Sequence, residues 1–260
     1  MLASLLVGID GSSESHSALQ LSLRWARSTG ALVKGLGVID EPGLHGSEEY
    51  LMGELYFRKL HGEILSELRA KAADALKCTF TIATEAGARF EALQDEGVPY
   101  AEIVREAQAC DLVLLGQHTH FRFGWEDRGD ATLSQVLANS SRPVVAVPEQ
   151  VAEGEAIVIA YDGSLQAARA LAAFEALGLV RDQEVHVLSA DPDWKAAARC
   201  ADRAVEFLYS HKIKPRPHPL PSHSPAETIL DWVFRLRAGL VVMGAYGKPT
   251  LQEFILGSVT

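Results

Sequence analysis

The residues best suited to chemistry lie near the end of the chain, in the run Gly-Ala-Tyr-Gly-Lys-Pro-Thr-Leu-Gln-Glu-Phe-Ile-Leu-Gly-Ser from Gly244 to Ser258. Two residues separate Gly244 from Gly247, nine separate Gly247 from Gly257, and Ser258 follows at once. The run comes directly after the apolar stretch Leu240-Val241-Val242-Met243. That order reads as strand, open glycine turn, spacer and helix start. Glycine lets a backbone approach a ligand closely. A helix start presents unpaired N–H groups and the positive end of the helix dipole, which suits phosphate. The spacing therefore predicts a nucleotide-phosphate cradle. In it Gly244 and Gly247 leave room for the phosphates. The backbone N–H groups of Gly257, Ser258, Val259 and Thr260 point at their oxygens. The Ser258 hydroxyl adds a donor, and Lys248 supplies compensating charge. This is not a P-loop, because Pro249 follows Gly247-Lys248 where Ser or Thr belongs.

Such a cradle needs a sheet to carry it, and the chain reads as two copies of one order of elements. Leu5-Leu6-Val7-Gly8-Ile9 precedes Asp10-Gly11-Ser12, and Ala156 to Ala160 precedes Tyr161-Asp162-Gly163-Ser164, with Asp162 placed 152 positions after Asp10. A helix follows each, with Ser12 or Ser13 and Ser164 as N-caps. Second strands are predicted over Leu32 to Ile39 and Val185 to Ser189, then helices over about Glu48 to Leu76 and Trp194 to Ser210. Third strands are predicted over Thr79 to Thr84 and Ile213 to His218, the latter an edge strand or irregular because it carries Pro215 and Pro217. Continuous apolar strands ending at Gly116 and Gly244 suit a parallel sheet covered on both faces. The first half closes with a helix over Ala131 to Ser140 and a short strand, Val144 to Val147, between prolines. Strand and helix alternate throughout, which predicts an α/β architecture of tandem doubly wound sheets.

The glycine spacing after a strand, together with Ile9-Asp10-Gly11-Ser12 and Tyr161 to Ser164, resembles the ATP-binding motif and first strand-turn of the universal stress protein family, present twice. The resemblance implies two tandem Rossmann-like domains, 1–152 and 153–260. It implies ATP as ligand, with Mg2+ beside the phosphates, and a role as a stress-response sensor or regulator. Ligands in such sheets sit at the C-terminal ends of the strands. By resemblance the nucleoside end meets Asp162, flanked by Ala160 and Tyr161. Met243 and backbone groups near Ser189-Ala190 complete that end, although Ser189 is polar where the family carries an apolar residue. Physically, a carboxylate there accepts hydrogen bonds from ribose hydroxyls or an exocyclic amine. The resemblance also implies a pseudo-twofold pairing of the two halves and pairing of whole chains, with Val144 to Val147 as the edge that invites a neighbour. By comparison with Ala131 to Pro148, about eighteen residues, a closing helix and strand, are missing after Thr260; either the chain continues there or this copy does without them, and the resemblance favours the first.

The first half is the weaker copy. Gly116 and Gly129 keep their places, but Thr119 replaces the middle glycine and Asp130 the serine, with Glu126 and Asp127 beside them. A β-branched residue is costly where φ must be positive, and a carboxylate at a helix start repels phosphate. Weak or absent ATP binding is expected there, although Asp10 and Val38 match the family pattern. His118 and His120 read as loop residues rather than metal ligands. The first copy is also longer. Asp10 to Gly116 spans 106 positions against 82 from Asp162 to Gly244, and the excess around Glu41 to Glu63 predicts a loop and a longer helix over the site mouth.

Composition narrows the remainder. The chain has 260 residues, 48% of them hydrophobic and 22% charged, with a net charge of −10. That balance fits a protein with a proper core and argues against a nucleic-acid or anionic-membrane surface. The cysteines, Cys78, Cys110 and Cys200, are scattered without a CxxC, so neither disulfides nor a zinc site is expected. The opening runs straight into a strand with no basic n-region, and no apolar run reaches the ~20 residues of a membrane span. A cytoplasmic protein is expected. Two other readings stand beside the regulator: a slow ATP hydrolase or nucleotidyl-transfer enzyme, for which only Asp162 and Lys248 offer chemistry, and a non-nucleotide interaction scaffold.

Overall fold

Each half opens on an apolar strand that ends in an Asp-Gly-Ser turn, and a parallel sheet is laid down around each. The structure, a computed structural model, describes residues 1–41, 54–121, 123, 131–152, 154–180 and 182–244. It divides into two compact units, one spanning Leu2–Gln150 and one spanning Val151–Thr260 together with Met1. The first unit runs β1 (Ser4–Gly8), α1 (Ser13–Thr29), β2 (Leu32–Ile39), α2 (Glu54–Glu85), β3 (Arg89–Glu96), α3 (Pro99–Ala107), β4 (Leu112–Gly116), α4 (Thr132–Asn139) and β5 (Val144–Val147). The second runs β6 (Ala156–Ala160), α5 (Leu165–Leu177), β7 (Glu184–Asp191), α6 (Trp194–Ser210), β8 (Arg216–Pro221), α7 (Pro225–Arg235) and β9 (Ala238–Met243).

Both sheets are parallel, ordered β3-β2-β1-β4-β5 and, among the described residues, β8-β7-β6-β9. The doubly wound α/β expectation therefore holds. Ser4 pairs with Leu32 and Ala156 with Glu184, so one offset of 152 residues relates β1 to β6 and β2 to β7. Leu5 faces Leu112 and Ile157 faces Leu240, which makes Gly116 the counterpart of Gly244.

The central strands are apolar on both faces because helices cover both. In the second unit, Ile157, Ile159, Val185 and Val187 pack against Leu171 and Phe174 of α5 and Ala201, Ala204 and Leu208 of α6. The alternate residues Val158, Ala160 and Leu188 pack against Ile229 and Trp232 of α7. Ser12 and Ser164 cap α1 and α5 in the same way, accepting from Ser15 N and Ala167 N, both at 3.1 Å. No helix among the described residues is long and apolar enough to cross a membrane.

One predicted strand is helix. Thr79 to Thr84 belongs to α2, and the third strand is Arg89–Glu96 instead. Thr79, Thr81 and Thr84 donate their hydroxyls to the carbonyls of Ala75, Lys77 and Phe80, at 2.8, 3.0 and 2.8 Å. Those back-bonds let β-branched residues sit in a helix. The true strand was hidden because it is an edge, mostly exposed and rich in charge. In the second unit β8 is an edge strand, as its prolines require, and begins at Arg216 rather than Ile213. The predicted extension over Glu41 to Glu63 falls largely outside the described residues. The helix that follows it is long, 32 residues against 17 in α6.

Candidate functional site

A cleft opens at the C-terminal end of the second sheet, where β6 and β9 deliver their loops. Of the sequence-predicted residues, Ala160, Tyr161, Asp162, Met243 and Gly244 line it. Gly247, Lys248, Gly257, Ser258, Val259 and Thr260 lie outside the described residues. Ser189 is turned away from the cleft. It is 1% exposed, and its hydroxyl donates to the Tyr161 carbonyl at 2.6 Å, tying β7 to the end of β6. The next residue, Ala190, lines the cleft instead. Ala190 is the counterpart of Val38 by the 152-residue offset and lies in the Ser189-Ala190 stretch that the resemblance implies. Pro225 and Ile229 of α7 form the far wall. They match Pro99 and Ile103 of α3, a correspondence also present in the repeat.

Asp162 is exposed, and among the described residues only the Ser164 N–H donates to its carboxylate, at 2.9 Å. That bond is an Asx turn, completed by Gly163 at φ +78°. One carboxylate oxygen is thereby spent on the turn, and the group keeps acceptor capacity toward the cleft.

Gly244 has a structural reason of its own. A Cβ built there would lie 2.7 Å from Ala167 N and 2.9 Å from Gln166 C, both backbone of the first turn of α5. The sequence reading left this position bare for phosphate, whereas the structure leaves it bare for a helix. Gly244→Ala is therefore expected to push β9 off α5 and to lower the stability of the second unit by about 1 to 3 kcal/mol. Urea denaturation followed through that unit checks this.

The equivalent mouth of the first unit is filled by its own chain. Asp10, the counterpart of Asp162, is 5% exposed. Its Oδ1 accepts from Ser12 N at 2.9 Å and Ser12 Oγ at 2.6 Å, and its Oδ2 accepts from His120 N at 2.7 Å. The loop after β4 thus folds down onto the end of β1. Thr119 is buried in it and donates its hydroxyl to the Gly116 carbonyl at 2.9 Å. Among the described residues only Phe123, Lys212 and Arg237 are non-glycine residues with positive φ, so Thr119 does not carry the expected backbone strain.

Phe121, also in this loop, is fully buried. Its ring comes 3.0 Å from where a Cβ on Gly8 would stand, beside Leu115. Gly8 and Leu115 are the counterparts of Ala160 and Met243, two residues of the second-unit cleft. Phe123 packs against Ile39 and against Leu65, Leu68 and Ala72 of α2. The long helix of the first unit therefore supports this plug. The Phe-x-Phe spacing in this loop is the sequence signal for the plug.

Charge differs between the two mouths as well. The first turn of α1 carries Glu14, where α5 carries Gln166. Burial pushes the Glu14 carboxyl up, but its own backbone N–H, His118 and Ser13 more than offset this and hold it below the usual carboxylate range. Its oxygen lies 3.2 Å from His118 Nδ1, so His118 faces the Glu14 carboxylate.

Comparison with known proteins agrees with the architecture. The model of the universal stress protein family matches residues 1–148. A universal stress protein from Archaeoglobus fulgidus superposes with a TM-score of 0.70 at 20% identity, covering 99% of this chain and 96% of that one. UspA from Lactobacillus plantarum gives 0.46 at 20% identity, over 56% of this chain and 97% of its own. A universal stress protein from Archaeoglobus fulgidus in complex with dAMP gives 0.37 at 17% identity, over 56% of this chain and 98% of its own. No curated protein matches the chain. The chain belongs to the universal stress protein family, and its second unit repeats the topology of the first.

Proposed function

We propose that this protein is a nucleotide-responsive stress regulator that holds ATP, with Mg2+ at its phosphates, in the cleft of the second unit, while the first unit binds none. The observation that carries this reading is the contrast between two equivalent aspartates. Asp162 stands exposed at an open cleft, and Asp10 is buried and spent on its own loop. In this reading Asp162 accepts from the ribose or the exocyclic amine, and Ala160, Met243 and Ile229 supply the apolar wall for the base. The amides of Gly257, Ser258, Val259 and Thr260, with Lys248, take the phosphates. Occupancy would order that segment and present a changed surface to protein partners. The domains implied are 1–152 and 153–260, paired about a pseudo-twofold axis and able to assemble further in the cytoplasm.

Isothermal titration of the full chain with ATP and Mg2+, and with dAMP as competitor, tests the reading. A single site per chain is expected, weakened in the Ser258→Ala variant. Two sites would remove the asymmetry. No binding by any of these nucleotides would leave the interaction-scaffold reading in its place.

A further inference from the structure

On the α7 face of the second sheet, four residues before Ala190, β7 buries an imidazole. His186 is 3% exposed, and its Nδ1 lies 3.0 Å from Nε2 of His218 on β8. The two rings stack with centroids 5.2 Å apart, and Trp232 of α7 lies on His218 at 4.6 Å. The other nitrogen of His186 is 3.4 Å from Glu184, which also holds Arg216 at 2.6 Å. Glu184 and Arg216 are the charged groups that β7 and β8 bring to the pair. On α7 the charged residues Glu227, Asp231 and Arg235 are all exposed, so α7 offers the pair an indole and no charge.

Proton bookkeeping limits what this geometry tolerates. In the neutral pair, His186 directs Nε2–H at Glu184, so its Nδ1 accepts from His218 Nε2–H. A single added proton is accommodated, because one N–H still points at one lone pair. A second added proton sets N–H against N–H and places two buried positive charges side by side. Something must then move, and β8 is the part least tied down. Among the described residues it is an edge strand, hydrogen-bonded in the sheet to β7 only and packed on α6, and Pro217, Pro219 and Pro221 leave its outer edge without N–H donors.

We propose that His186 and His218 form an acid-sensitive latch, which holds β8 and α7 on the sheet until both rings are protonated and then frees them, loosening the Pro225–Ile229 wall of the cleft. Burial pushes both imidazoles below the usual histidine range, and Arg216 adds to this for each. The released state therefore takes up protons more readily than the latched one. The latch is whole above the ordinary histidine value of about 6.5 and is lost as pH falls below it. This device operates whatever the cleft binds.

Hydrogen exchange of the full chain, read by mass spectrometry between about pH 7.5 and 5 and corrected for intrinsic rates, tests the latch. Protection of β8 and α7 is expected to fall roughly tenfold or more per pH unit on the acid side, while β6 and α5 hold theirs. The His186→Gln, His218→Gln double variant should lose that dependence. Equal acid sensitivity in the variant, or flat protection in the wild type, would overturn the latch. Should the variant not fold, imidazole 15N NMR of the wild-type chain decides. Coupled titration with loss of β8 amides supports the latch, and two independent titrations at the ordinary histidine value, with β8 unmoved, refute it.

Discussion

Phe121→Ala is expected to lower the stability of the first unit by about 3 to 5 kcal/mol, the range for emptying a fully buried aromatic site. At roughly 2 to 4 °C per kcal/mol for a unit of this size, the loss is readable as a shift in thermal midpoint. The ring is fully buried and abuts Gly8, where a Cβ would meet Leu115 at 2.5 Å and Phe121 at 3.0 Å. That contact supplies an internal control. Gly8→Ala alone should destabilise by overpacking, and it should cost less by about 0.5 to 3 kcal/mol when the ring is already gone, as expected for residues in contact. Strict additivity would mean that Phe121 and Gly8 do not share the space assigned to them. Removing the ring is not expected to create a second nucleotide site. Asp10 remains bonded to Ser12 and His120, and the Glu14 carboxylate remains at the mouth. A second equivalent of ATP bound by Phe121→Ala would show that the ring alone closes the first unit.

Most of the fold was legible in the sequence because the repeat states it twice. Two apolar strands that each end in Asp-Gly-Ser, and two that each end at a glycine, set the frame of both sheets; β1, β4 and β6 are buried on both faces as such runs require, and β9 is half-buried. The edges were less legible, since an edge strand carries no such burial pattern. Arg89–Glu96 was passed over for that reason, and the neighbouring threonine-rich run, whose residue types favour strands, was read as strand although a helical burial period links Leu65, Leu68, Ala72, Leu76, Thr79 and Ala83. Site residues followed the same division. Those at strand ends, Ala160, Tyr161, Asp162, Met243 and Gly244, meet at one cleft. Ala190, within the Ser189-Ala190 stretch that the resemblance implies, meets them there, whereas Pro225 and Ile229 on α7 carry no such signal. Their side chains carry no chemistry of their own, and only spatial proximity gives them a role. Ser189, implied by the family resemblance, is polar where the family is apolar, and its hydroxyl serves the backbone of β6. The plug was missed for a related reason, because a loop judged by its charges and its lost glycine was not expected to bury a phenylalanine.

The paired aspartates give the sharpest separation of roles, because the same substitution at equivalent positions should have opposite consequences. Asp10→Ala removes the acceptor for Ser12 N, Ser12 Oγ and His120 N at a site that is 5% exposed. Leaving buried donors unpaired costs about 1 to 3 kcal/mol for each such group, and more when the lost acceptor is charged, so a fall of about 2 to 4 kcal/mol in the stability of the first unit is expected. Nucleotide affinity should stay where it was. Asp162→Ala removes an exposed carboxylate whose described partner is the Ser164 N–H of its own turn. Water replaces that bond readily, so the stability change should stay below about 1 kcal/mol. Affinity should fall instead. A hydrogen bond to a charged group is worth about 1.5 to 3 kcal/mol, which corresponds to a loss of roughly tenfold to a hundredfold or more. Urea denaturation and calorimetric titration on the two variants read the two axes separately. If Asp162→Ala bound ATP as tightly as the wild-type chain, the carboxylate would be a turn residue only, and the nucleoside end of the site would have to be sought among the backbone groups of β7. If Asp10→Ala weakened ATP binding while leaving stability intact, the assignment of the nucleotide to the second unit would be reversed.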